Sequence, residues 1–548
     1  MAFAAAGHAD ELSDIQAQAK QLREQNQAMT KRLADLEKRQ KALETKPAVS
    51  TVNPVDSMAA DLPYKAAVKA RPAESDDLCW HGVCLYGNFD GGLSYNQHGA
   101  PLSGLAGGPL DTLVSKNGNG AYFGFGPNLL STSFIGLRGK QEIADNLYGV
   151  FNFQTLFNSA NGNNADGIGS IAQNNGITNL ASQNAFGDSS KSGQLFNNVA
   201  YAGISSPVYG TVTYGRQSAL SSDLIVNYDP LSGSNAWSVI TFQGANGGGG
   251  VTENRIYDNS FEYRVNVGPV RFAVETQLRN GGNSGTGNAF EGDIGFDYMG
   301  FSMDFLGGKT FDGISSGALS AAQLTALDTS AISFGKGWIA ATVSDNTVFQ
   351  VGAKYTLGPW KFFGGYEHID FNNPNNPLLP GAFLQGGYIG GAVNNLNFIT
   401  TRTLQTAWIG ARYAITPALD ITGAYYHEWQ NSFITSANSN ASGLGTLINN
   451  GATIGVGQNV GGNCTDARSA GCSGTLDAVS LVIDWRFARH VDLYAGVMWS
   501  QVQGGLANGF LQTNPAGNGA VIPGPGGVPL SGNKANTFDP GIGVRYQF

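Results

Sequence analysis

From about Trp80 to Phe548 apolar and polar residues alternate with period two, and no other feature constrains the fold of this chain as tightly. Val479, Leu481, Ile483, Trp485 and Phe487 are set against Ser480, Asp484 and Arg486. Phe349, Val351, Ala353, Tyr355 and Leu357 stand against Gln350, Lys354 and Thr356. The same rhythm places Val270, Phe272, Val274 and Leu278 against Arg271, Glu275 and Gln277. Successive side chains of a strand point to opposite faces, so one face of each run suits an apolar phase and the other suits water. A soluble sandwich alternates too, but its apolar faces need a facing sheet and its connections are more uniform. Here the connections come in two kinds. Tight turns occur at Ala144-Asp145-Asn146, Ser206-Pro207-Val208, Gly268-Pro269, Met299-Gly300, Gly358-Pro359, Thr416-Pro417-Ala418 and Arg489-His490. They alternate with longer Gly/Asn/Ser-rich stretches near 96–130, 159–193, 218–252, 281–288, 312–347, 372–401, 433–474 and 505–537. The pattern predicts an all-β transmembrane barrel of about sixteen antiparallel strands, with both ends on the side of the short turns.

Composition supports this reading. Only 13% of residues are charged, yet mean hydropathy is −0.13, so Gly, Asn, Ser, Thr and Gln supply the polarity. A soluble α/β enzyme would carry more Lys and Glu on its helices. No run approaches the ~18 apolar residues of a membrane-spanning helix, which leaves the closed barrel as the other way to cross. The net charge of −9 argues against a nucleic-acid partner.

Ahead of the barrel (80–548) lie three further segments. Residues 1–9 read as the remnant of a secretory signal, with Gly7-His8-Ala9 as a small-x-small site before Asp10; the alternative is a disordered Ala-rich tail. Residues 10–45 carry a heptad: Leu12, Ala19, Asn26, Leu33 and Gln40 at one core position, Ile15, Leu22, Met29, Leu36 and Leu43 at the other. This narrow stripe predicts an α-helical coiled coil and self-association. Residues 46–79 contain Pro47, Pro54, Pro63 and Pro72 and are expected to form an extended linker. The four cysteines fall into two close pairs at what would be opposite membrane faces, so Cys79–Cys84 and Cys464–Cys472 are the expected disulfides. A metal site from Cys79, His81 and Cys84 lacks a completing ligand, and no metal or cofactor is expected.

Several runs, taken in order, resemble the trimeric general porins of Gram-negative bacteria. They are Leu85-Tyr86-Gly87-Asn88-Phe89-Asp90, Phe134-Ile135-Gly136-Leu137-Arg138-Gly139, Ala200-Tyr201-Ala202-Gly203-Ile204, Tyr214-Gly215-Arg216-Gln217, Asp258-Asn259-Ser260-Phe261-Glu262-Tyr263 and the terminal Tyr546-Gln547-Phe548. The resemblance does not cover the coiled coil or the linker. It implies a passive channel for small hydrophilic solutes in the outer membrane, surrounded by lipid, assembled as a homotrimer and inserted by the barrel-assembly machinery through Phe548. It also implies that the third loop folds inward and sets acidic residues against a basic wall. The matching acids are Asp223 and Asp229, while Gly233 stands at a further acidic position of the family. On the wall, Arg138 matches and Arg255 is a second candidate, although strict alternation would aim Arg255 outward unless a bulge intervenes. Asn88, Phe134 and Asn198 occupy positions that are commonly basic, and Asp90, Arg271, Glu275, Arg412, Asp484 and Arg486 are the other expected lumen-facing charges. A weak transverse field with cation preference, or a particular neutral substrate, is therefore expected. Arg216 alternates with Val212 and Tyr214, so it is expected to point outward, where the family's arginine meets a neighbouring subunit.

Other functions remain open at this point. A channel specific for a sugar or small carboxylate would use lumen aromatics such as Phe134 and Trp408 for stacking. A barrel enzyme would need a nucleophile near His368 or His427, and no such motif stands out. A third alternative is a structural envelope tether, with the coiled coil in the periplasm reaching toward the cell wall.

Overall fold

A computed structural model describes residues 78–97, 122–157, 159–160, 162, 195–240, 256–278, 288–316, 339–375, 384–385, 391–395, 399–433, 447–449, 452–454, 473–504 and 534–548, together with Lys20, Gln27 and Lys31. Those three N-terminal residues are helical and exposed. The remaining heptad, the signal remnant, residues 46–77 of the linker, Arg255, Cys464 and Cys472 lie outside the described residues.

The barrel has sixteen staves. β1 is Val83–Asn96, and β2 runs as Tyr122–Pro127 and then Ser133–Ala144. β3 to β5 are Leu147–Phe157, Val199–Ser206 and Gly210–Ser218. A short helix, α1 (Leu220–Tyr228), follows. β6 to β9 are Ile256–Val267, Val270–Gln277, Ala289–Tyr298 and Phe301–Ser316. β10 to β13 are Ile339–Leu357, Trp360–Asn372, Arg402–Thr416 and Leu419–Gln430. β14 to β16 are Gly474–Ala488, Val491–Gly504 and Lys534–Gln547. Each stave pairs antiparallel with its chain neighbour, and β16 returns to β1, so no barrel edge is left open.

All seven tight turns stand where residue chemistry places them. Asn146, Met299, Gly268, Gly300 and Gly358 adopt positive φ there, a region in which glycine carries no Cβ penalty and asparagine a small one. Val479, Leu481, Ile483, Trp485 and Phe487 are exposed on the outer face, as are Ile542, Val544 and Tyr546 on the last strand. Arg545 and Gln547 turn inward and are buried. Phe548 closes the seam through two backbone bonds to Gly87 (2.9 and 3.1 Å). Cys79 and Cys84 pair in register where Leu78–Trp80 folds back on the first residues of β1, and they form a disulfide.

Two departures from simple alternation shape the interior. Between the halves of β2, residues 128–132 leave the ladder and fold inward: Asn128 and Leu129 are fully buried, and Asn128 N donates to Asp90 O (3.1 Å). Second, the inner wall is not uniformly wet. Val348, Ile369, Leu404, Leu476 and Met498 lie inside, in one apolar cluster with Leu220, Leu224, Ile225 and Trp237 from the loop after β5. Strands covered on both faces read as continuous apolar runs, and these inward positions are covered by that loop.

Candidate functional site

Residues 220–240 cross the interior and touch the wall on most of its circumference. α1 begins after Ala219, which offers no side-chain cap. Glu291 of β8 takes that role, accepting from Ser221 N (2.9 Å) and Ser221 Oγ (2.7 Å). A carboxylate at a helix N-terminus meets both orphan amides and the positive end of the dipole. One turn on, Asp223 pairs with Arg264 of β6, which also holds Glu262 (2.6 Å). At the other end of α1, the Tyr228 hydroxyl shares a bond with Ser302 (2.9 Å) and accepts from Arg271 (3.2 Å). Trp408 Nε1 donates to Tyr228 O (3.0 Å), and Arg412 donates to Pro230 O (3.1 Å).

Beyond α1 the chain continues across the lumen to β2. Ser234 Oγ and Ala236 N both donate to Leu129 O (3.0 Å each), while Asn235 Nδ2 donates to Asn128 O (2.8 Å). The inward excursion of β2 is therefore the far anchor of the loop. Trp237 completes it, with Nε1 on Asp539 O (3.2 Å) and its carbonyl accepting from Ser480 (2.6 Å). Bulky loop residues dock where the wall has no side chain. A Cβ on Gly352 would lie 2.5 Å from the Tyr228 ring, one on Gly410 2.4 Å from Pro230, and one on Gly496 2.7 Å from Trp237. Gly352→Val should accordingly weaken loop docking by about 1–3 kcal/mol through overpacking, read as faster protease cleavage near residue 228 in intact barrels.

Charge around the loop is segregated. Glu262, Glu275 and Glu291 lie directly opposite one another on β6, β7 and β8, all inward and buried, beside Asp223, Asp293 and Asp304. Among the described residues Arg264 and Arg271 oppose them, and Arg271 is engaged by Asp304 (2.5 Å) and Asp297. On the other side of the lumen, Lys354 donates to Asn227 O (3.3 Å) and Arg412 reaches Pro230 O and Ser232 Oγ. Arg486 and Arg545 lie nearer the tight turns, paired with Asp420, Asp484 and Asp492. Carboxylates therefore lie on one flank of α1 and the cations Lys354 and Arg412 on the other.

The family model of the Gram-negative porin matches residues 64–505. This chain belongs to that family. It is 28% identical over 185 residues to an outer membrane porin protein of Bordetella pertussis, a stretch of 33% of this chain and 39% of that protein. The alignment thus spans about two fifths of the relative's length. Solved barrels of similar outline include OmpT of Vibrio cholerae (TM-score 0.46, 12% identity, covering 86% of this chain and 100% of that one). Another is OmpF of Salmonella typhi (TM-score 0.41, 13% identity, covering 85% and 97%).

Within this porin the expected site residues divide. Asp223 and its partner sit at the root of the loop, but the partner is Arg264, not Arg138. Arg138 does face inward, with its guanidinium over the Tyr86 ring (4.8 Å), and among the described residues nothing joins it to Asp223 or Asp229. Arg264 was legible: the alternation that sends Phe261 and Tyr263 outward puts Glu262 and Arg264 inside. Asp229 is turned away from the passage. Its carboxylate accepts from Tyr426 Oη (2.6 Å) and Gly233 N (2.7 Å), so it braces the loop, and Gly233 supplies a backbone amide where the family has an acid. Asn88, Asp90, Phe134 and Asn198 are inward but sealed. Asn88 bonds Ser131 Oγ (2.7 Å), Asp90 accepts from Ser131 N (3.0 Å) and Tyr494 Oη (2.5 Å), Phe134 packs edge-on to Tyr86, and Asn198 N bonds Gln154 O (3.2 Å).

Arg216 keeps the face that alternation gives it: the register shift opposite Gly215 adds its extra residue in β6, and Thr213 and Gln217, bonded to each other (2.6 Å), hold the inward face on either side of it. Its side chain is buried, pairs with Asp258 (2.5 Å) and donates to Asn197 O (2.9 and 3.1 Å). Asp258 answers the charge within the chain.

Burial pushes the Asp229 carboxyl above the usual carboxylate range. Its folded-state pKa exceeds the unfolded one, so loop docking is strongest below about pH 4 and weakens as pH rises through the folded value. Asp229→Asn should flatten that dependence, followed as loop protease sensitivity between pH 4 and 8.

Proposed function

We propose that this chain is an outer-membrane porin through which small hydrophilic solutes diffuse passively, with residues 220–240 as the constriction. The observation that carries the reading is the loop itself, docked on Gly352, Gly410 and Gly496 and braced from β6 round to β2. Opposed charges in a narrow passage orient dipolar solutes and disfavour apolar ones. The buried acidic row on β6 to β8 supports a preference for cations. Reversal potentials in a salt gradient should take the cationic sign; a clear anionic sign would overturn that preference.

A substrate-specific channel is the second reading, but its proposed stacking surface has little support: Phe134 is packed with Tyr86 and Leu156, and Trp408 lies beneath the loop. Flux linear in solute concentration is expected, and saturation would favour the specific channel. A hydrolytic role finds no support at the histidines, since His368 faces Asp370 (3.2 Å) and His427 faces Asp477 (2.7 Å) on the outer side of the barrel. In this reading the protein is a homotrimer in outer-membrane lipid, the terminal Phe548 is the signal read by the barrel-assembly machinery, and residues 10–45 form a periplasmic coiled coil that supports the trimer or reaches the cell wall. Deleting residues 10–45 should lower trimer stability or release the protein from the envelope; neither change would remove both roles.

A further inference from the structure

One inward row of the barrel buries a carboxylate, Glu428, that no donor reaches among the described residues. Gln350, Glu367, Thr406 and Glu428 stand opposite one another on β10, β11, β12 and β13. All four are fully buried. Gln350 Nε2 donates to Glu367 Oε1 (2.5 Å), which fixes the amide and turns its carbonyl oxygen away from that bond. Among the described residues nothing bonds that oxygen, Thr406 Oγ1 or either oxygen of Glu428. Arg402, two inward positions along β12 from Thr406, lies with its guanidinium over Phe371 (4.6 Å) and donates from Nε to Gln430 (2.7 Å).

The surroundings raise the cost of that charge. One inward position away from the tight turns, Val348, Ile369 and Leu404 close the row with apolar side chains. One position toward the turns, Trp408 and Tyr426 bond Tyr228 O and Asp229 of the loop. A buried carboxylate in such a place is costly unless a donor or an ion meets it. Strand spacing sets Glu367 and Glu428 about 10 Å apart at Cα, one on each side of Thr406. The concave wall of a barrel tips two such side chains toward each other. The row thus sets carboxylate, amide and hydroxyl oxygens along one short arc.

Oxygen ligands alone suit a hard cation. Zinc, copper and iron favour imidazole or thiolate, and among the described residues no group of three or more His, Cys, Asp or Glu suits a metal. Here the carboxylates are Glu367 and Glu428, completed by the oxygens of Gln350 and Thr406. Calcium takes about six to eight oxygens and tolerates irregular geometry, whereas magnesium demands a near-ideal octahedron and parts with water reluctantly. The paired carboxylates also match the charge of a divalent ion.

We propose that Gln350, Glu367, Thr406 and Glu428 form a binding site for a calcium ion on the inner wall of the barrel. Its consequence is mechanical. Trp408 and Tyr426, which hold the loop at residues 228 and 229, are the next inward residues on two of the strands that the ion clamps. Calcium therefore stiffens the loop's anchorage without touching a passing solute. The proposal goes beyond the porin reading and does not depend on conductance. Its test uses the full chain in detergent, stripped of divalent ions with EDTA, dialysed, and then given calcium or magnesium chloride. With so few carboxylates the affinity belongs to the weak range of calcium sites, about 0.1–1 mM. Calcium at about 10 mM should raise the urea midpoint and slow protease cleavage near residue 228, and magnesium should do less. Glu428→Gln keeps the side chain's shape, and its apparent calcium affinity should fall by at least about tenfold. Thr406→Val, which keeps both carboxylates, should lower the affinity by a smaller factor and serves if the first variant does not fold. A calcium effect lost with Glu275→Gln but kept with Glu428→Gln would place the ion on the acidic flank of α1 and overturn the proposal. So would a midpoint indifferent to calcium, the behaviour of a Glu428 carboxyl that keeps its proton. Equal responses to calcium and magnesium in the native chain and every variant would mark screening alone and also overturn it.

Discussion

Replacing Arg545 with alanine is expected to destabilise the barrel by about 3–5 kcal/mol, the cost of leaving buried carboxylates without their counter-charge. Arg545 on β16 lies directly between Asp90 of β1 and Asp492 of β15 in the strand register. Its Nε and Nη2 hold Asp492 Oδ2 (3.0 and 2.8 Å), and Nη2 also reaches Asp484 (3.2 Å). Arg545 is 3% exposed and Asp492 1%, so solvent screens neither well. These strands form the seam that closes the barrel, so the loss falls where chain ends meet. The check is urea unfolding in detergent, read as a lower midpoint at unchanged slope. Replacing Arg545 by Met together with Asp484 and Asp492 by Leu should cost less than the single change, because those two carboxylates are no longer left without a counter-charge and Asp90 keeps its bonds from Ser131 and Tyr494.

The second large effect is on selectivity. Arg264→Gln removes the cation that bridges Asp223 and Glu262, next to Glu275 and Glu291. A unit charge about 5 Å from a passing ion, at an effective dielectric constant of about 40, is worth about 1.5 kcal/mol, or roughly tenfold in partition. Losing the charge raises cation partition and lowers anion partition by about tenfold each, so the cation-to-anion permeability ratio should rise by up to about a hundredfold, measured as reversal potential in asymmetric salt. The shift should shrink at high ionic strength, where the Debye length falls to about 3 Å near 1 M. An unchanged ratio would mean that ions do not pass this flank of the loop.

The outer face and the tight turns were legible because their causes are local. Positive φ asks for Gly or Asn, and lipid contact asks for Val, Ile, Leu and aromatics at every second position. The inner face was less legible. Val348, Ile369 and Leu404 carry apolar side chains inward because a loop more than a hundred residues away in sequence covers them. Asp223 and Asp229 were both expected to face the passage, yet their directions are set by distant partners: Arg264 draws one to the wall of β6, and Tyr426 with Gly233 N–H takes the other out of the passage. For Arg216 alternation gave the face but not the partner, since a bulge in β6 is what brings Asp258 beside it. The inward excursion of β2 gave no periodic signal, because residues 128–132 owe their conformation to Asp90 and to the loop they anchor.

Residues 220–240 lie across the lumen, and in the proposed function they set its width. Tyr228 and Trp237 are each 1% exposed and press on wall glycines, so truncating them removes nothing from the passage itself. Single-channel recording in planar bilayers, with neutral polymers of graded size, should compare the native chain with Tyr228→Ala plus Trp237→Ala. The account predicts discrete steps from the native chain, and from the variant a higher conductance with entry of larger polymers as the loop leaves the wall. Equal conductance and an equal size cut-off in both would contradict it.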